Sequence, residues 1–510
     1  MAPVMDVTRR SFIKWVISAG AVMACPAPMA FAALSDKKGG GKGAIPAGRL
    51  ESETNTVCHE VRDGMSLPLP APSLKKDVVI VGGGPSGLGA ADELKNENFL
   101  LIEKEPHLGG NAYSESWKGV PYSTGAAWDD TEGEPDFAAL VKRWNLNWKE
   151  IPGNDAAHFN GVWISNFWNG HADNPAIDKL PYGESVKKSF RDFLKEIQDI
   201  DIDKNLKALD LKPFSDYFKG RAPELKAYWD GFGKSNWGAP TELSSSYLGI
   251  QAARDWFRVP RYTWAGGIGI GSKEVYAQLP EKAKKSILTG AAAYSVRKKG
   301  KKVLVSFFHE GKPHTVEAKS VVMCVPKFIT RFLVQDLPED QARAMGAMRY
   351  APYLVYNLCF SRVVTNRGFD NWVPGAKNFT DFIPADWVTY ADGGNLKRPQ
   401  VVTVYAPLNQ DQRESILTDA GAKARAKAAV EELLKISPEW LPHLEEVRIY
   451  RRGHPIPMSI PGYFTKLQPA ARRDFPPIYF GCSDAKGEVS DFFFASLNGI
   501  AAAKKAAKHI

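Results

Sequence analysis

The feature that most constrains this chain is a glycine turn set between a strand and a helix. Asp77 to Val81 (DVVIV) is a short apolar run rich in β-branched residues, the pattern of a buried parallel strand. It leads straight into Gly82-Gly-Gly84-Pro85-Ser86-Gly87, a GxGxxG sequence, and Leu88 to Leu94 continues at helical spacing. A second apolar run, Phe99 to Ile102, ends at Glu103. Gly82 permits the tight turn, Gly84 lets the backbone approach a pyrophosphate, and Gly87 lets the helix pack close to the strand. The N–H groups that open the helix, in the stretch of Pro85 and Ser86, face the phosphates. Glu103, about 20 residues past the first glycine, can accept hydrogen bonds from the ribose hydroxyls of an adenosine. A glycine motif alone is weak. Strand, glycines, helix, strand and acid in this order specify a dinucleotide site in an α/β domain of Rossmann type.

With 510 residues the chain is long enough for two lobes, and 44% hydrophobic against 24% charged residues is ordinary globular composition. The 14 Trp, 17 Tyr and 26 Phe fit core filling and would also furnish an aromatic-lined pocket. The formal net charge is +9. Arg9, Arg10 and Lys14 against Asp6 give +2 in the first 32 residues, and Lys37, Lys38, Lys42 and Arg49 against Asp36 give +3 as far as residue 49. The body is left with +4, too mild a charge to indicate nucleic acid. The five cysteines, Cys25, Cys58, Cys324, Cys359 and Cys482, form no CxxC and no disulfide framework. Cys324 and Cys359 sit in apolar runs as buried thiols, and His59 beside Cys58 is read as incidental rather than as a metal pair.

The N-terminus reads as an address. Asp6-Val-Thr-Arg9-Arg10-Ser-Phe-Ile-Lys14, an apolar run from Trp15 to Ala24, and small residues after it compose a secretory signal, and the paired arginines in this context resemble a twin-arginine signal. That route carries folded proteins, so a cofactor can be loaded before export. Ala30-Phe31-Ala32 fits a signal-peptidase site and a free periplasmic protein; Val22-Met23-Ala24-Cys25 resembles a lipobox and would leave Cys25 lipid-anchored. Pro26 and Pro28 make the run short for a bilayer span. Residues 33–74 read as a flexible linker or arm, polar and proline-rich.

After Glu103 comes Lys104-Glu-Pro-His-Leu-Gly109-Gly110-Asn111. Here the chain resembles the flavin amine oxidase, protoporphyrinogen oxidase and phytoene desaturase group, and the resemblance runs from about residue 75 to 505. It implies FAD as the cofactor. The Gly109-Gly110 pair would approach the FAD phosphates; the group usually follows it with Arg, where this chain has Asn111, and Lys104 is a candidate to compensate. Thr124-Gly125-Ala126-Ala127-Trp128 resembles the loop that passes the isoalloxazine ring. Val296, in Ala293-Tyr-Ser-Val296-Arg297, matches a residue whose backbone meets the adenine. Gly481-Cys482-Ser483-Asp484 resembles the last FAD motif, with Asp484 the ribityl or pyrophosphate contact, and Ala495 onward looks like the closing helix.

The resemblance implies an α/β fold: a discontinuous FAD-binding domain in segments 75–129, 261–335 and 466–510, and an α+β substrate domain in 130–260 and 336–465 with a mixed sheet and a helical cap. Ser185 to Ile200 and Ala422 to Lys435 read as amphipathic helices, and Tyr353 to Phe360 and Gln400 to Tyr405 as strands. Many amine oxidases of the group carry a Lys near the flavin N5; the matching position here is Val355. His454, Tyr463 and Trp128 are the candidate active-site side chains. Three functions are weighed: hydride removal from an amine or amino acid; desaturation or isomerisation of an apolar polyene or fatty acid; and a non-catalytic flavin-binding subunit of a redox complex. Oxygen, a quinone and a periplasmic cytochrome are the candidate electron acceptors. The expected partners are a small-molecule substrate and the twin-arginine export machinery, with no nucleic acid and no metal.

Overall fold

A computed structural model of the chain describes residues 44–130, 135–153, 155–389 and 395–510. The signal segment, its arginine pair, Cys25 and the start of the linker lie outside the described residues. None of the described helices is long and apolar enough to cross a membrane.

The β-branched run Leu74–Val81 is the centre of a seven-stranded sheet, and its residues Val78 to Val81 are buried. Phe99–Ile102 and Lys312–Met323 flank it, both parallel. Lys312–Met323 is shared between two arrangements. Its first half pairs antiparallel with Lys302–His309, and its second half pairs parallel with Ile478–Phe480. The last strand of the chain thereby joins the nucleotide sheet through Lys312–Met323. The helices Pro85–Glu93 and Phe492–Ala507 lock the same junction: a Cβ on Gly89 would lie 2.7 Å from the Ser496 carbonyl oxygen, and one on Gly499 would lie 1.9 Å from that of Ser86. The two helices cross backbone to backbone, which only glycine at both crossings allows.

The other lobe is built on an eight-stranded mixed sheet. Its order is Gly48–Ser52, Leu444–Pro457, Tyr350–Phe360, Gln400–Pro407, Asp381–Pro384, Asn371–Trp372, Ala156–Phe159 and Val162–Ser165. Helices within 184–254 cap one face. Glu184–Gln198 turns Phe190, Phe193, Leu194 and Ile197 inward at i, i+3, i+4 and i+7. They meet Trp168, Tyr228 and Trp229 in an aromatic core, where each buried side chain contributes about 1.5–3 kcal/mol. The opposite face packs on Asp419–Ile436, whose first turn is capped by the Thr418 side chain accepting from the Gly421 N–H.

The sequence-derived elements therefore stand within a few residues of the observed ones, with one correction. The arm is not a plain linker over its described part: Gly48–Ser52 is an edge strand and Thr56–Arg62 a short helix. Polar residues and prolines dominate its composition, but five backbone pairings to Leu444–Pro457 order the strand.

Candidate active site

The glycine turn forms a cradle, and its glycines play different parts. A Cβ on Gly82 would meet the Cys324 carbonyl oxygen at 2.6 Å and one on Gly87 would meet that of Gly82 at 1.9 Å, so both are glycine for internal packing. A Cβ on Gly84 would meet nothing nearer than the Gly110 Cα at 4.0 Å. It would project into a cleft lined by Gly82, Gly84, Pro85, Ser86, Glu103 and Gly110. Gly109, at φ +111°, turns the chain so that Gly110 faces Gly84. This is a bare-backbone cradle of the kind a pyrophosphate needs.

Glu103 lies on the floor of the cleft. Its Oε2 accepts the Gly83 N–H at 2.6 Å and its Oε1 accepts the Glu105 N–H at 2.8 Å. Burial pushes its carboxyl up, against the pull of those two bonds. Lys104 also lines the cleft; burial lowers its proton affinity, but Glu53, Glu105 and Glu103 outweigh that and hold the ammonium above its usual range. The Gly–Gly pair lacks its arginine, and another guanidinium stands nearby. Arg452 donates to the Thr124 carbonyl at 3.3 Å, to Thr124 Oγ1 at 2.9 Å and to Asn111 Oδ1 at 3.3 Å.

The cleft opens into a chamber, and the two share Asn111, Ala126, Arg452, Pro455, Ser490, Asp491 and Phe492. Gly125, Ala127 and Trp128 line the chamber. Its floor is the larger sheet. Val355 stands opposite Tyr450 on one side and Tyr405 on the other; Tyr405 stands opposite Asp381, and Asp381 opposite Trp372. Residues directly opposite share a face, so this row points one way. Asp381 is two strands from Val355, about 10 Å at the usual inter-strand spacing.

Among the described residues, the chamber is lined by six carboxyl side chains (Asp129, Asp130, Asp370, Asp381, Glu488, Asp491) and by one cation, Arg452. Asp370 and Asp381 share a side-chain hydrogen bond. Burial pushes Asp381 up to about 7, and burial with the charges of Asp381 and Asp155 pushes Asp370 well above its ordinary value. Thr380 Oγ1 donates to Asp381 at 2.6 Å, whereas Asp370 Oδ1 has no partner among the described residues. Behind the pair, Arg261 meets Asp155 at 2.9 Å. Asp129 and Asp491 also accept N–H groups of Phe492 and Phe494, and so cap the closing helix. Burial raises both carboxyls.

Several sequence-derived candidates stand elsewhere than expected. Tyr463 lines neither cavity; it is buried in the core beside the nucleotide sheet. His454 lines the cleft, not the chamber, with its ring stacked 4.4 Å from Phe328. Burial lowers it to about 3, so it is neutral. Val296 is buried away from the cleft, and Ala291 to Ala293, earlier on the same strand, line it instead. Gly481 packs on the closing helix, where an added Cβ would lie 3.1 Å from the Gly499 Cα, while Cys482, Ser483 and Asp484 reach the cleft. Asp484 is already engaged: it accepts from the Lys327 N–H at 2.7 Å, from Lys327 Nζ at 2.6 Å and from the Tyr350 hydroxyl at 2.5 Å. Its remaining role toward a ligand is confined to a free lone pair. Cys58, Cys324, Cys359 and Cys482 are free thiols, and no group of metal-ligating side chains occurs among the described residues. Asp370 and Asp381 are not among the sequence-derived candidates; their only signal is an acid in or just before a short buried strand.

Comparison with known proteins agrees with this geometry. The family described as flavin containing amine oxidoreductase matches residues 85–495. Oxidoreductase PigB of Serratia sp. (strain ATCC 39006) is 22% identical over 86% of this chain and 77% of its own length. The (S)-6-hydroxynicotine oxidase of Paenarthrobacter nicotinovorans is 31% identical over a shorter stretch, 28% of this chain and 34% of that protein. Among solved structures, the cyclohexylamine oxidase of Brevibacterium oxydans IH-35A superposes with a TM-score of 0.64 at 16% identity, covering 85% of this chain and 98% of that one. A putrescine oxidase with bound putrescine superposes at 0.61 and 17% identity, covering 86% of this chain and all of that one. These two share the fold. The cleft is thus a site for FAD, and the chain belongs to the flavin containing amine oxidoreductases, a family of FAD-dependent oxidoreductases.

Proposed function

We propose that this enzyme binds an amine that enters the chamber as an ammonium ion, takes its proton onto a carboxylate of the chamber, and then removes a hydride from the C–H bond beside the neutral nitrogen, leaving an iminium ion. The observation carrying this reading is the acidity of the chamber: among the described residues, six carboxyl groups against one guanidinium that is already bonded to Thr124 and Asn111. A cation entering such a site replaces shared protons and satisfies the unpartnered Asp370 Oδ1. An amino acid would bring a carboxylate into the same field, so amines without one are the favoured class. Trp128, Trp256 and Trp372 wall the chamber and suit the apolar body of the substrate and, through their ring faces, its charge. FAD, held by the Gly82–Gly87 turn, Gly110 and Glu103, supplies the hydride acceptor. The chain binds and orients the amine, and the aromatic walls exclude water.

A second reading, desaturation or isomerisation of an apolar substrate, draws on the same walls and on Val355, since no lysine lines the chamber among the described residues. We read the N-terminal signal as twin-arginine export to the periplasm, with oxygen, a quinone or a cytochrome taking the electrons. The test is to add amines, amino acids and fatty acids to the oxidised protein without oxygen and follow the flavin band near ~450 nm. Bleaching by amines supports the proposal, and reoxidation by air then identifies oxygen as an acceptor. Turnover of a polyene or fatty acid with no bleaching by amines overturns it.

A further inference from the structure

The arm from Gly48 to Arg62 lies ahead of residues 85–495, the span shared with the family, yet it helps to wall the cofactor cleft. Its strand adds to the edge of the larger sheet, parallel to Leu444–Pro457, in register from Gly48 opposite Val447 to Ser52 opposite Arg451. The seat is close: a Cβ on Gly48 would lie 2.4 Å from Ile449 Cδ1. A strand that only shielded a sheet edge could end there. This one continues over the cleft, where Glu53, Thr54, Cys58 and Arg62 join the lining.

Two contacts, made by the consecutive residues Glu53 and Thr54, anchor the start of the crossing. Thr54 donates its N–H to Glu105 Oε1 and its hydroxyl to Glu105 Oε2, both at 2.9 Å, two residues past Glu103 and so at the adenosine end. Glu53 accepts the Gly453 N–H at 3.3 Å and lies 3.8 Å from Arg452, the guanidinium where cleft meets chamber. Beneath the crossing, Lys104 is paired with Glu105. A dinucleotide lying from Glu103 to Arg452 runs under residues 53–62.

We propose that this arm is a strap over the bound FAD, a further cofactor-binding segment that must lift before the dinucleotide can enter or leave. Its own contacts are mostly with the protein, so it acts on the rate of exchange as well as on affinity. In a protein exported with its cofactor already loaded, such a strap keeps the flavin from being lost where none can be resupplied.

The experiment uses the full-length holoprotein. A specific protease site is placed in the largely exposed link between Gly64 and Pro72, and the folded, FAD-loaded protein is cut and the arm washed away. Release of FAD is then followed by its fluorescence after dilution. The expected result is release roughly tenfold faster than from the uncut protein, the effect of losing a few net hydrogen bonds. Gly48→Val, which unseats the strand without touching the cleft, should act the same way, and Thr54→Ala should act in the same direction and less strongly. Circular dichroism and cooperative melting of each apoprotein separate release from misfolding, and the cut protein carries the test if a variant fails to fold. An unchanged release rate from cut protein that has lost its arm overturns the proposal.

Discussion

The cofactor cleft is made largely of backbone and the chamber largely of side chains, and the two differ in how they can fail. In the cleft, Gly82 and Gly87 are glycine because carbonyl oxygens stand 2.6 and 1.9 Å from where their Cβ would be. Gly84 is glycine because a ligand must lie there. In the chamber, Val355, Tyr405, Asp381 and Trp372 come from four strands and meet only because register sets them opposite one another. The cleft therefore fixes one cofactor by shape, and on the proposed reading the chamber selects its substrate by charge.

The comparison can be broken most severely at Gly84. Its backbone, φ −72° and ψ −173°, is ordinary extended chain that any residue adopts. Gly84→Val should leave the fold intact and still weaken FAD at least about 100-fold, because the new methyl groups occupy the phosphate position. Titrating apoprotein with FAD checks this; a variant that binds FAD normally would mean that the cradle lies elsewhere.

A smaller effect is expected in the chamber. Asp381→Asn or Asp370→Asn should raise the KM for an amine by roughly ten- to a hundredfold, the scale of a lost charge-assisted hydrogen bond, while FAD affinity stays as it was. Steady-state kinetics beside an FAD titration reads both. Equal damage to FAD binding would show that the two cavities are not separable.

How much of this is legible in the sequence follows from the same division. The cradle occupies one contiguous stretch, residues 77–111, so its spacing can be read directly, down to Glu103 on the cleft floor. The long amphipathic helix of the cap and the central strands are legible from their periodicity. Tyr463 misleads because proximity along the chain to the Gly453–Pro457 segment suggests proximity to the chamber; it turns into the core instead. Val296 is displaced because strand Ala291–Lys299 presents its first residues, not its middle, to the cleft. Asp370 and Asp381 are hard to find because an acid in or beside a short buried strand carries little local signal. Its meaning lies in partners more than 100 residues away, such as Ser235, or across the sheet. The arm misleads because backbone pairing at a sheet edge depends little on composition.

The most direct test of the central claim is the affinity of the FAD-loaded enzyme for a quaternary ammonium ion between pH 6 and 8, read from the perturbation of the flavin band. Such an ion carries its charge throughout, so only the protein titrates. Asp381 is pushed up to about 7, so raising the pH ionises the chamber. The affinity should rise with pH through that window, by at most about tenfold per unit for one linked proton, and the rise should vanish in Asp381→Asn. A flat profile in the wild-type protein, or an unaltered slope in the variant, would contradict the account.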